Sequence, residues 1–225
     1  MSTAFQKLQK IDKELVLLDH TSALLQWDQE TGMPEMAIEE RSEQIALIHG
    51  MAHDRITSSK VADLIEQART ETGGATQEGG ELPPEDDPHF VHCAFLRVFG
   101  RNYNRAVKIP RRLVTETAKA TSRAQAAWIK AREADDFSLF QPHMEKIVDL
   151  TLEKAEALGY PEQAYDALLD EFEPGMLTSQ VEEVFSDLKT ELAPLVQRIT
   201  AAQKTDDSFR KRTYPSSEQR DFSLH

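Results

Sequence analysis

The sequence predicts an all-α protein, an elongated array of helices without a sheet. Apolar residues recur at three-to-four spacing in one segment after another. No run alternates at period two for more than a few residues, which removes the strand alternative. Between the periodic segments stand the glycines, prolines and hydroxyl residues that stop and start helices.

From Phe5, the residues Leu8, Ile11, Leu15 and Leu18 keep helical spacing, and Leu24 and Leu25 follow. They predict an amphipathic helix of about six turns through Gln26, long enough to act as a spine. Trp27-Asp28-Gln29-Glu30-Thr31 then falls where the chain is expected to turn, because Gly32 and Pro34 break helix beyond it. Trp27 is read either as an anchor in a core at a helix end or as part of a site. A second helix, Ile38 to His53, carries Ile45, Leu47, Ile48 and Met51, with Glu35, Glu39 and Glu40 near its positive end. Thr57-Ser58-Ser59 offers an N-cap to a third, marked by Val61, Leu64 and Ile65.

Residues 73–80 hold four glycines, and Pro83-Pro84-Glu85-Asp86-Asp87-Pro88 follows. Such a composition packs no face, so 73–88 is expected to be a flexible loop within one helical domain covering 1–225. Phe90 to Val107 forms the next helix, and Pro110 opens another that reaches about Glu133. Phe137 to Leu158 follows, ended by Gly159. A short helix over Tyr165 to Glu171 stops at Glu173-Pro174-Gly175, and Thr178 is expected to cap a last long helix with a kink at Pro194.

The charge balance, 39 acidic against 26 basic residues for a net −13, disfavours nucleic acid as a partner. No apolar run approaches membrane-span length, and Met1-Ser2-Thr3-Ala4-Phe5 has no signal-peptide character. The single cysteine, Cys93, cannot form an internal disulfide, so a cytoplasmic protein is expected.

No complete active site is visible in the residues themselves. His49 and His53 stand four apart, a metal-pair spacing, yet Gly50 occupies the place where a zinc hydrolase of that plan needs its glutamate. They read as surface or capping histidines. His89, His92 and Cys93 are three potential ligands in five residues, a metal-storage or sensing candidate that lacks a fourth ligand at recognisable spacing. Arg97, Arg101 and Arg105 form a ridge every fourth residue, with Lys108, Arg111 and Arg112 beyond. That ridge either pairs with neighbouring carboxylates or binds an anion such as a peptide carboxylate. Glu-x-x-His pairs, phosphate loops and nucleophile elbows are missing.

Trp27-Asp28-Gln29-Glu30-Thr31 with Met33-Pro34, then Arg41 and Gln44, resembles the opening of the carboxypeptidase Taq family of metallopeptidases. The resemblance continues through Ile109-Pro110, Leu113-Val114, Ala120-Thr121-Ser122, Trp128 and Ala131-Arg132. It then takes in Asp136-Phe137, Phe140, Pro142, Glu145-Lys146-Ile147-Val148, Leu158-Gly159-Tyr160, Tyr165 to Asp170 and Glu173-Pro174-Gly175-Met176. It implies the N-terminal part of a two-lobed, helical, zinc-dependent and homodimeric carboxypeptidase that removes single residues from peptide C-termini. The family's zinc ligands come from a His-Glu-x-x-His helix and a later glutamate, expected just beyond His225. No catalytic residue or zinc ligand is therefore carried over, and this chain is expected to bind no zinc itself. The resemblance instead suggests Trp27, Asp28, Glu30, Thr31, Tyr165, Asp166 and Glu173 as lining or supporting one wall of the substrate groove. The expected function is that of an enzyme part, inactive alone; the alternative is a non-enzymatic helical interaction module.

Overall fold

The computed structural model describes residues 3–71, 82–202 and 206–224, and these contain helices and turns without a strand. The α-helices are α1 (Ala4–Thr31), α2 (Ile38–Ile56), α3 (Ser59–Glu71), α4 (Phe90–Lys108), α5 (Arg111–Ala134), α6 (Gln141–Leu158), α7 (Ala164–Leu169), α8 (Thr178–Ala201) and α9 (Ser216–Ser223). The glycine-rich part of the expected loop, 73–81, lies outside the described residues; 82–89 is an extended stretch and turn leading into α4. The chain divides into two compact units, Met1–Gly175 and Met176–His225.

In the first unit α1 is the spine. Thr3 and Gln6 close its N-terminus reciprocally: the Gln6 amide donates to Thr3 Oγ1 at 3.2 Å, and Thr3 N–H donates to Gln6 Oε1 at 3.1 Å. Ala4, Phe5, Leu8 and Ile11 then bury against Val61, Leu64, Ile65 and Ala68 of α3 and Leu96 and Phe99 of α4. Leu8 and Leu96 are fully buried, each worth about 2–3 kcal/mol of apolar transfer.

The far half of α1 lies on α2, where Leu25 packs against Ile45, Ala46 and Ala118 of α5. Acidic residues rising in number along α2 meet basic residues falling in number along α5, so the two run antiparallel. Glu39 pairs with Arg123 at 2.6 Å, Glu43 with Lys119 at 2.6 Å and Asp54 with Arg111 at 2.8 Å. Glu35, in the turn before α2, adds Lys130. Exposed pairs contribute only about 0–1 kcal/mol each, so this ladder sets register more than stability. Midway along it, a Cβ on Gly50 would stand 2.7 Å from Arg111 Nη2 and 3.1 Å from Thr115 Cγ2. The glycine where a catalytic glutamate would be needed is thus the point at which α5 passes closely.

Ala155 and Leu158 of α6 and Ala167 of α7 form a third cluster with Ile109. Gly159 leaves α6 at φ +75°, where a side chain would be strained.

The second unit comprises α8, a short turn at Ser208–Lys211 and α9. The helix runs through Pro194 rather than ending there. Thr178 is its first helical residue, not its cap; Leu177 N–H donates to Gln180 Oε1 at 2.9 Å instead. Among the described residues no helix is long and apolar enough to cross a membrane.

Candidate functional site

The segment Trp27–Thr31 is the last turn of α1, not the turn after it. Nothing in it breaks helix; Gly32 does, its N–H and that of Met33 both donating to Asp28 O at 2.9 Å. Trp27 is 63% exposed, so it anchors no core among the described residues. Thr31 Oγ1 turns back onto Trp27 O at 2.7 Å. Asp28 meets Arg41 of α2 at 2.6 Å, and the same guanidinium donates to Leu25 O at 2.6 Å and Gln44 Oε1 at 3.1 Å. Arg41 places its charge against the negative end of α1, the favourable end for a cation. Asp28, Arg41 and Gln44 therefore form one joint between α1 and α2.

Gln29 makes a second joint, to α5. Its Nε2 donates to Ser122 O at 3.2 Å and Gln125 Oε1 at 2.8 Å, while Ser122 Oγ donates to Gln29 Oε1 at 2.7 Å. This amide bridge separates two cavities lining the same seam. One, of about 250 Å³, is bounded by Met33, Ile38, Ala126 and Ile129 with Glu35 and Lys130. The other, of about 180 Å³, is lined by Gln26, Glu30, Ile45, His49, Thr121 and Ser122 among others.

Below the second cavity the buried Ser22 hydroxyl lies 2.9 Å from His49 Nε2 and accepts from Gln26 Nε2 at 3.4 Å. The hydroxyl can donate its proton to His49 Nε2 while accepting from Gln26, or accept from both, according to the tautomer of the ring. Burial lowers the His49 pKa below its usual value, against a smaller opposing pull from Asp19.

Tyr165, Asp166 and Glu173 belong to a different packing, α7 and its exit. Tyr165 is exposed, whereas Asp166 is buried and accepts the N–H groups of Glu162 and Gln163 at 3.1 and 3.0 Å, closing the start of α7. Glu173 is exposed in the turn that follows. Of the arginine ridge, Arg101 and Arg105 grip a carboxylate of the chain itself. Asp170 Oδ2 accepts from Arg101 at 2.9 Å and from Arg105, and its Oδ1 accepts Gly175 N–H at 2.9 Å. Arg97 is exposed. Lys108 donates to Leu158 O at 3.0 Å, Arg111 pairs with Asp54, and Arg112 with Glu116 and Glu153.

Among the described residues the histidines and Cys93 do not assemble into a metal centre. His53 Nε2 reaches Ile109 O at 2.8 Å and Ala106 O at 3.2 Å, capping α4. His92 stands edge-on to Phe5, ring centroids 4.0 Å apart. Cys93 is buried, which together with the Asp87 charge pushes its thiol up, away from the thiolate that metals bind. Among the described residues no three His, Cys, Asp or Glu are placed to hold an ion.

Periodicity alone missed Ser22, Gln29, Ser122 and Gln125. The available signal was a polar residue on an inward helix face, such as Ser22 one turn past Leu18.

The BsuCP crystal structure matches with a TM-score of 0.85 at 29% identity, over 98% of this chain and 42% of that one. The chain belongs to the carboxypeptidase Taq (M32) metallopeptidase family, whose sequence profile matches residues 7–225. It is 35% identical to thermostable carboxypeptidase 1 of Thermus thermophilus over 98% of its own length and 43% of the relative's. To carboxypeptidase 1 of Bacillus subtilis the figures are 32%, 90% and 38%. The chain thus spans about two fifths of the length of these relatives.

Proposed function

We propose that this chain supplies one wall of the substrate groove of a zinc metallocarboxypeptidase, which releases C-terminal amino acids from peptides. The observation that carries the reading is the match of nearly the whole chain to only 43% of a carboxypeptidase's length. On this reading the zinc ligands fall in the portion of the enzyme that this chain does not span. The exposed Trp27 and Tyr165 offer aromatic faces to a peptide, Glu30 a carboxylate, and Glu173 a second charge at the exit of α7. Asp28 and Asp166 support that wall by holding α1 to α2 and closing α7. When bound in the complete fold, zinc supplies a Lewis acid and an activated water. No step of the hydrolysis falls to a residue of this chain, whose part is to bind and orient the peptide. A homodimer in the cytoplasm belongs to the same reading.

The test is peptide hydrolysis by the purified chain with zinc or cobalt, read as released amino acid. The chain alone is expected to show no turnover. Co-expression with the part of the Bacillus subtilis relative beyond the matched region is expected to restore it. Robust turnover by the chain alone overturns the proposal. A stable, cooperatively melting chain that never complements points instead to a non-enzymatic interaction module.

A further inference from the structure

The smaller cavity of the α1–α2–α5 seam has a composition that selects its guest. Its lining includes no lysine or arginine, and Glu30 is its carboxylate. Among the described residues no cation pairs with Glu30. The Gln29–Ser122–Gln125 bridge engages both ends of the Gln29 amide, the Ser122 hydroxyl proton and Gln125 Oε1 on one wall. Ser22 occupies one nitrogen of His49. Three acceptors stand outside that bridge. They are the Glu30 carboxylate, Gln26 Oε1, whose amide nitrogen already serves Ser22, and Thr121 Oγ1, whose proton goes to Thr117 O or Ala118 O at 3.0 and 3.1 Å.

We propose that this cavity binds a primary ammonium group on a short aliphatic stem, the three N–H donors meeting Glu30, Gln26 and Thr121 while Ile45 and Ala118 pack against the stem. An anion would face Glu30 without a compensating cation. A guanidinium brings five donors in a planar fork, a geometry for which these three separate acceptors offer no paired partner. At about 180 Å³ the space is below the ~300–1,000 Å³ of sites for whole drug-sized molecules, the scale of a single side chain. Two sources share this chemistry: a lysine side chain and the free amino terminus of a peptide. Every lining residue lies in the first unit and the readout is binding, so the inference stands or falls separately from the peptidase reading.

The experiment is a titration of the full chain, followed by calorimetry and amide NMR. The probes are Nα-acetyl-lysine methylamide, alaninamide, and the same lysine compound acetylated at Nε. Saturable binding of one or both amines is expected, with shifts centred on Gln26, Glu30 and Thr121. Tighter binding of the lysine probe identifies a side-chain guest, and tighter binding of alaninamide a peptide terminus. Glu30→Gln is expected to weaken binding about ten- to a hundredfold, the span of a charge-assisted hydrogen bond. Thr121→Val removes a second acceptor independently and is expected to weaken it less. Glu133→Gln, at an exposed acid of the neighbouring cavity, is expected to leave it unchanged. Equal binding of the Nε-acetylated probe alone, equal weakening by Glu133→Gln, or no saturable binding in the millimolar range overturns the proposal.

Discussion

Replacing Asp170 removes the carboxylate that the Arg101 and Arg105 guanidiniums share at the junction of α4 and α7. Arg101 and Arg105 are 24% and 18% exposed and Asp170 is 32% exposed, so solvent screens the site only partly. An exposed ion pair contributes about 0–1 kcal/mol, and stripping a partner from a fully buried one costs about 3–5 kcal/mol. Asp170→Asn lies between these limits, at about 2 kcal/mol, because the amide oxygen can still accept Gly175 N–H. Asp170→Ala loses that bond as well and is expected to cost about 3 kcal/mol. For a chain of this size the Asn variant should melt about 4–8 °C lower, read by circular dichroism of the helical band. The Asp170–Arg105 double-mutant cycle should show coupling of about 1 kcal/mol or more. Burial acts to raise the Asp170 pKa, but Gly175 N–H and the two guanidiniums outweigh it and hold it below the ordinary 3.8. Its contribution is therefore complete above pH 3.8 and is lost as pH falls through the folded value. The gap between wild type and Asp170→Asn should close over that acid range. An Asn variant that melts with wild type, or a cycle with no coupling, refutes the argument.

His49 titrates below its usual 6.5 in the folded chain, so its neutral form stabilises the fold above that pH and the contribution fades as pH falls. Urea midpoints between pH 8 and 5 should fall more for wild type than for His49→Gln, and parallel curves would remove burial as the cause. Gln29→Leu strips three hydrogen bonds from the α1–α5 joint and should cost about 1–3 kcal/mol, measured by urea unfolding. Leu8→Ala opens the fully buried centre of the α1–α3–α4 core and should cost about 2–5 kcal/mol in the same assay.

The helices were legible in the chain because periodic burial is local. Leu8 and Ile11, or Val61, Leu64 and Ile65, mark their inward faces whatever they pack against, and those residues are buried. The end of α1 was misread for a related reason. Trp27 to Thr31 look like a site, yet no residue among them stops a helix until Gly32. In the chain Gly50 reads only as the lack of a catalytic glutamate; the approach of Arg111 and Thr115, which a Cβ there would crowd, leaves no mark nearby in the sequence.

By itself the sequence determined the helical class, the order of the elements and, through its signature runs, the family. Tertiary structure alone decided which polar groups meet. Gln29 finds Ser122 and Arg101 finds Asp170 across 93 and 69 residues. A helical period reports which face of a segment turns inward, whereas a hydrogen bond between distant segments depends on how far along each other two helices have slid. That offset arises from packing and from ladders such as Glu39–Arg123 and Glu43–Lys119, after the helices have formed.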